Sequence, residues 1–130
     1  MNKKSAGFTT IEMIVAFGVL AVLAVFFVTQ RNDLDFRQRD QDAKVAINAI
    51  YYSLQEVYFP EHGSYPSEIT PETLRGIDPS LLTDPFGNFI GSANSLYGYE
   101  ATGCQGTTAC TGFKLTADLL KEEDYIKSNK

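Results

Sequence analysis

Residues that carry catalytic chemistry are scarce in this sequence of 130 amino acids. It contains one histidine, His62, two cysteines and no tryptophan. A single histidine excludes most Ser/His/Asp and Cys/His catalytic arrangements, and the glycines form neither a P-loop nor a dinucleotide-binding pattern. The formal net charge of −5 gives no support for a nucleic-acid surface. The sequence therefore predicts no enzyme, no cofactor and no nucleic-acid partner.

Charged residues are nearly absent from one stretch close to the N-terminus. Between Lys4 and Arg31 the only charged residue is Glu12. A helix over Phe8–Val28 would be about 32 Å long at about 1.5 Å per residue, which is enough to span a hydrocarbon core. Its apolar residues lie all round the helix, which indicates a membrane-spanning segment. The lysines before it predict that Met1–Gly7 stays in the cytoplasm and that the rest lies outside.

A secretory signal and a plain membrane anchor are the ordinary explanations of such a segment. The apolar run is long for a signal, and no small-x-small cleavage site follows it. A plain anchor has the right length but does not explain Glu12, because an acid at the centre of a spanning helix costs about 3 kcal/mol and usually marks function with a partner. The alternative for Glu12 is that its side chain reaches the lipid headgroups.

The sequence GFTTIE at 7–12 resembles the prepilin motif of type IV pilins and pseudopilins. The short basic leader, Met1–Gly7, and the uninterrupted apolar helix resemble the same family. The resemblance implies that a prepilin peptidase cleaves after Gly7 and that the new N-terminal Phe8 is methylated. It also implies that Phe8 and Glu12 serve subunit assembly. A carboxylate at Glu12 can pair with the ammonium of Phe8 on a neighbouring copy, which relieves the desolvation of both charges.

Beyond the apolar segment the pattern predicts an α+β fold, with one long N-terminal helix packed on a small antiparallel sheet of about three strands, the layout of the pilin fold. Apolar residues spaced three and four apart within 30–59 predict an amphipathic helix that Pro60 stops. Arg31–Asp42 is dense in both charges and is expected to be solvated. Alternating residues predict strands over the ranges 96–101, 113–119 and 125–127.

The predicted organisation has four segments. They are a cleaved leader 1–7, a hydrophobic transmembrane and polymerisation helix 8–29, an amphipathic helix 30–59 and a globular head 60–130. No proline occurs between Phe8 and Tyr58, so nothing covalent forces a kink in the long helix. Within the head, Thr70 is expected to cap a short helix that ends near Gly76. Carboxylates are too few around Asp84 to predict a metal site.

Cys104 and Cys110 lie in a Gly- and Thr-rich stretch between the first two predicted strands. There is no CxxC pair, and the only histidine is distant in sequence, so a four-ligand zinc site lacks ligands. For a domain outside the cytoplasm a local disulfide is the simpler interpretation, and two free thiols are the alternative. In the entropy model a loop this small contributes about 2–3 kcal/mol.

The resemblance implies a structural subunit of a type IV pilus that serves adhesion or twitching motility. Such a chain is held in the cytoplasmic (inner) membrane with its head outside, and it becomes extracellular on assembly. The implied partners are copies of itself, the prepilin peptidase and methyltransferase, the pilus assembly machinery, and membrane lipid before assembly. Two alternatives stay open: a pseudopilin of a type II secretion or DNA-uptake (competence) system, and a membrane-anchored binding module that does not polymerise.

Overall fold

The computed structural model describes residues 8–106 and 109–129, so the predicted leader and Gly7 lie outside the described residues. The chain divides into two compact units, Met1–Asp35 and Phe36–Lys130. The predicted α+β layout is confirmed. In chain order its elements are α1 Thr10–Tyr52, a π-helical turn Ser53–Tyr58 (the π turn), α2 Phe59–His62, a 3-10 turn Pro79–Leu82, and strands β1 Tyr97–Thr102, β2 Gly112–Ala117 and β3 Tyr125–Ser128.

The first unit contains the apolar part of α1. Every residue from Phe8 to Arg31 is exposed, including the large apolar side chains. By length and composition this helix can cross a membrane, with a mean hydropathy of 2.7 over its most apolar window. At its polar end the hydroxyl of Thr29 donates to the carbonyl oxygen of Phe26 at 2.9 Å, so this polar group is satisfied inside the helix.

The second unit has its core between α1 and the sheet. The buried positions of the long helix and the π turn recur three and four residues apart from Ala43 to Leu54, as the pattern predicts, because one face of a helix must cover the sheet. Val57 continues the predicted spacing but is 49% exposed. The packed residues of the helical segment are Ala43, Ala46, Ile47, Ile50 and Leu54, and those of β2 are Phe113, Leu115 and Ala117.

The sheet is antiparallel with the order β1-β2-β3, so β2 is the central strand. Tyr97 of β1 lies opposite Ala117, and Lys114 lies opposite Ser128 of β3. Side chains alternate between the two faces of a strand, and this alternation buries the three packed residues of β2 while Lys114 faces solvent. The predicted strands 96–101, 113–119 and 125–127 are confirmed, and each of their ends lies within two residues of the observed end.

The helical segment continues to His62, which corrects the expectation that Pro60 stops it. The N–H of Phe59 donates to the carbonyl oxygen of Leu54, five residues back, so the π turn is wider than an α-helical turn. Proline is tolerated in the first turn of a helix, where its missing N–H costs nothing, and Pro60 occupies that position in α2. Gly63 then ends the helix with a positive φ of 68°.

The segment after Thr70 forms hydrogen-bonded turns rather than the predicted helix. Thr70 still acts as a cap, because its hydroxyl accepts from the N–H of Thr73 at 3.2 Å and its carbonyl oxygen accepts from the N–H of Leu74 at 3.3 Å. The regular turn comes later, at Pro79–Leu82, where the carboxylate of Asp78 accepts from the N–H of Ser80 at 2.9 Å.

Candidate functional site

Glu12 lies in the first turn of α1, where it forms a reciprocal cap with Thr9. The Oε2 atom of Glu12 accepts from the N–H of Thr9 at 2.9 Å and from its hydroxyl at 3.0 Å. In return the N–H of Glu12 donates to the Thr9 hydroxyl at 3.4 Å. This is a capping box, which satisfies helix N–H groups that have no partner inside the helix.

The capping box changes what the carboxylate of Glu12 requires. In the isolated chain this acid is held by local donors at the positive end of a helix, which lowers the cost of keeping it charged. The backbone N–H and the hydroxyl of Thr9 both donate to Oε2, and each carboxylate oxygen can accept more than one hydrogen bond. The carboxylate therefore retains capacity to accept from a further donor outside the chain.

Thr9 belongs to the candidate site, although the sequence prediction did not include it. The signal was present, because a threonine followed three residues later by glutamate and then an apolar run is the pattern of a capping box. The resemblance implies an intermolecular partner for Glu12, whereas the structure shows a local partner in Thr9.

The residues next to the predicted cleavage point are not helical. Phe8 and Thr9 precede α1, and Phe8 has 84% of its surface exposed. Gly7 lies outside the described residues, so the structure describes only one side of the predicted scissile bond. On that side the chain has the irregular, accessible form that a peptidase requires.

The predicted disulfide between Cys104 and Cys110 is present. Cys104 is exposed, whereas Cys110 is fully buried in the core of the second unit. The backbone of Cys110 pairs with Tyr65 through two hydrogen bonds of 2.8 and 3.0 Å. The ring of Tyr65 stacks on Phe59 and meets Phe113 edge-on. One end of the disulfide loop is thus fastened to the segment that follows the helix.

Asp40 is a buried carboxylate within the stretch predicted to be solvated. It is 2% exposed, and its two oxygens accept from the N–H groups of Leu120 at 2.8 Å and Lys121 at 2.9 Å. Four residues later, Lys44 forms an ion pair with Glu122. The face of α1 therefore holds the loop between β2 and β3, and the expectation of full solvation over 31–42 is wrong at this position.

Asp84 organises the turn that precedes the sheet. It is 4% exposed, and it accepts from the N–H groups of Phe86, Asn88 and Leu96 at 2.8–3.0 Å. Burial alone would raise its pKa, but these hydrogen bonds and one from the Asn88 amide together lower that pKa below the ordinary value. Within residues 8–106 and 109–129 no three metal-ligating side chains lie together.

Comparisons with protein-family models, with curated protein sequences and with solved structures find no match for this chain. The resemblance at 7–12 therefore stays a prediction, and the functional argument depends on the chain's own residues. The residues that carry it are Phe8, Thr9 and Glu12, at the start of a long exposed apolar helix.

Proposed function

We propose that this chain is a structural subunit of a type IV pilus, processed after Gly7 and assembled through its N-terminal helix into an extracellular filament for adhesion or twitching motility. The observation that carries the proposal is Glu12, the single charged residue on an apolar helix whose side chains are all exposed. Such a helix needs lipid or other copies of itself to cover it, and a positively charged partner would pair with the acid once the helix is covered.

Cleavage after Gly7 would supply that positive charge. It would leave Phe8 with a free ammonium group, four residues before Glu12. The ammonium of a neighbouring copy can donate a hydrogen bond to the carboxylate of Glu12, while the hydrogen bonds between Thr9 and Glu12 stay in place. The charge pair relieves two desolvation costs at once and sets the register in which apolar helices lie side by side.

The disulfide loop supports a head that lies outside the cytoplasm. Its described residues from Gly103 to Gly106 and Ala109 are exposed. A covalent cross-link protects such a loop in an oxidising compartment. This compartment agrees with a head that lies on the far side of the membrane from the basic leader.

Substitution of Glu12 by glutamine tests the pairing. The change keeps the shape and removes the charge, so we expect membrane insertion to be unaffected and filament yield in sheared surface material to fall below detection. Glu100→Gln is the matched control, since it removes an exposed carboxylate of β1 and should assemble normally. Wild-type filament yield from the Glu12 variant would remove the basis of the proposal.

Mass spectrometry of purified filaments tests the processing step. We expect the chain to begin at a methylated Phe8, and assembled material that begins at Met1 would contradict cleavage after Gly7. Electron microscopy of the same preparation distinguishes a pilus from a pseudopilus. Long surface filaments composed mostly of this chain indicate a pilus, whereas their absence from the surface material indicates a short pseudopilus within the cell envelope.

A further inference from the structure

A polar cleft lies within the second unit, and no role described above uses it. Its volume is about 600 Å³, within the usual range of small-molecule sites. The cleft lies between the end of the helical segment and the turns that follow Thr70. Its lining comes from Ser53, Val57 and Tyr58 of the π turn, Glu61 and His62 of α2, and residues 72–76.

The π turn shapes one wall of this cleft. An insertion of this kind is rare, distorts the regular helix and is frequent at functional sites. Leu54 is fully buried and fixes the turn to the core, while Val57 is exposed and lines the cleft with Tyr58. Glycine and proline are absent from the turn itself, and Pro60, two residues after it, has no N–H to donate to the carbonyl groups of the turn.

Two aromatic rings that are stacked on each other contribute to the lining of the cleft. The rings of Tyr58 and His62 are stacked with centroids 4.1 Å apart and planes within 8° of parallel. The Nδ1 atom of His62 lies 3.0 Å from the carbonyl oxygen of Tyr58. A carbonyl oxygen only accepts, so Nδ1 is the donor in this contact.

The charges of the lining define the class of ligand. Glu61 and Glu72 oppose an anion, and Arg75 opposes a cation. A purely apolar ligand would leave these groups desolvated without partners. A neutral molecule with many hydroxyl groups fits all of them, because each hydroxyl can donate to a carboxylate and accept from a guanidinium. The apolar C–H face of a sugar ring can lie against Val57 and the aromatic rings.

We propose that this cleft binds a neutral saccharide of one or two sugar units. The volume accommodates that size, the carboxylates and Arg75 bind hydroxyl groups, and the stacked rings receive the apolar face of the sugar. The proposal does not depend on polymerisation, since all of the lining lies within the second unit.

The test uses the full-length chain in detergent with cellobiose, lactose and N,N′-diacetylchitobiose as probes. Saturation-transfer NMR detects contact, and isothermal titration gives the affinity. We expect at least one disaccharide to bind with a Kd of about 1 mM, the affinity of a small open site. The double variant Glu61→Gln/Glu72→Gln should weaken that binding by about tenfold or more.

The control variant is Glu56→Gln, which removes an exposed carboxylate of the same π turn outside the cleft and should bind as wild type does. Arg75→Gln is a second cleft variant at an exposed position, and it should weaken binding without affecting the fold. The absence of saturable binding of all three probes at concentrations up to about 50 mM would overturn the proposal. Binding that is equal in wild type and in both cleft variants would also overturn it.

Discussion

The two parts of α1 have the same secondary structure and opposite surroundings. From Phe8 to Arg31 every described side chain is exposed, whereas further along Ile47 and Ile50 are fully buried. The difference comes from the arrangement of apolar residues, which surround the first part and form a stripe on the second. A stripe can be covered by one sheet of the same chain. Apolar residues on all sides require a surrounding medium or several neighbours.

Because of this difference, the free energy gained by burying apolar side chains has a different source in each unit. Burial contributes about 1.5–3 kcal/mol for each large apolar side chain, and in the second unit the chain itself supplies that burial. In the first unit the chain does not supply that burial, and under the proposed function it would come from lipid or from other copies. Substitutions in the two regions should therefore change different observables: the stability of the head in one case, and insertion or assembly in the other.

The largest expected effect comes from removing a central aromatic ring of the head. Phe113 is fully buried and meets the rings of Tyr51, Tyr65 and Tyr99. Phe113→Ala should lower the free energy of unfolding by about 3–5 kcal/mol through lost transfer and a new cavity. Urea titration of the full-length chain in detergent, followed by tyrosine fluorescence and near-UV circular dichroism, measures the change.

Phe17→Ala is the matched control for the other region. The same ring is removed, but Phe17 is exposed on the apolar part of α1, so the urea midpoint of the head should stay the same. An equal loss of head stability in both variants would contradict the division between the two regions.

The second prediction concerns the buried carboxylate that holds the β2–β3 loop. Asp40→Ala removes the acceptor of two N–H groups, those of Leu120 and Lys121, and should cost about 2–3 kcal/mol. The control Asp35→Ala removes an exposed carboxylate of the first unit and should cost less than about 0.5 kcal/mol. Amide hydrogen exchange at Leu120 and Lys121 should accelerate only in the first variant, and unchanged protection there would disprove the role of Asp40.

The fold was predictable from sequence where periodicity alone determines it. The buried stripe of α1 and the alternation of Phe113, Leu115 and Ala117 are local patterns, and the structure confirms both. Asp40 was not predictable, because the N–H groups that bury it lie about 80 residues later in the chain. A charged residue among other charged residues carries no local sign of such a partner.

The site was predictable to a similar degree. The position of Glu12 and the pairing of Cys104 with Cys110 follow from residue types and spacing. The π turn was not predicted, because Ser53–Tyr58 itself contains no glycine or proline. The backbone pairing of Cys110 with Tyr65 is also a tertiary feature, invisible in the spacing of the cysteines.

The third prediction addresses the disulfide. Cys104→Ser should expose one reactive thiol at Cys110 only after partial unfolding, and it should cost about 2 kcal/mol because the unfolded chain regains loop entropy. Cys110→Ser should cost more, since it also places a hydroxyl at a fully buried position. Thiol titration and urea unfolding measure both. Two titratable thiols in the native wild-type chain would show that the disulfide is absent.

The smallest expected effect is a pH dependence confined to the head. The pKa of Asp84 is lowered in the folded state, so its contribution to stability is present above the unfolded value of about 3.9 and is lost as pH falls toward the folded pKa. Asp84→Asn should cost about 1 kcal/mol at pH 7 and should flatten the decline of the urea midpoint below about pH 4. Glu123→Gln, at an exposed position of the β2–β3 loop, is the control and should keep the wild-type profile. Membrane insertion, which depends on the other region, should be the same for all three proteins, and an acid profile unchanged by Asp84→Asn would show that other carboxylates cause the decline.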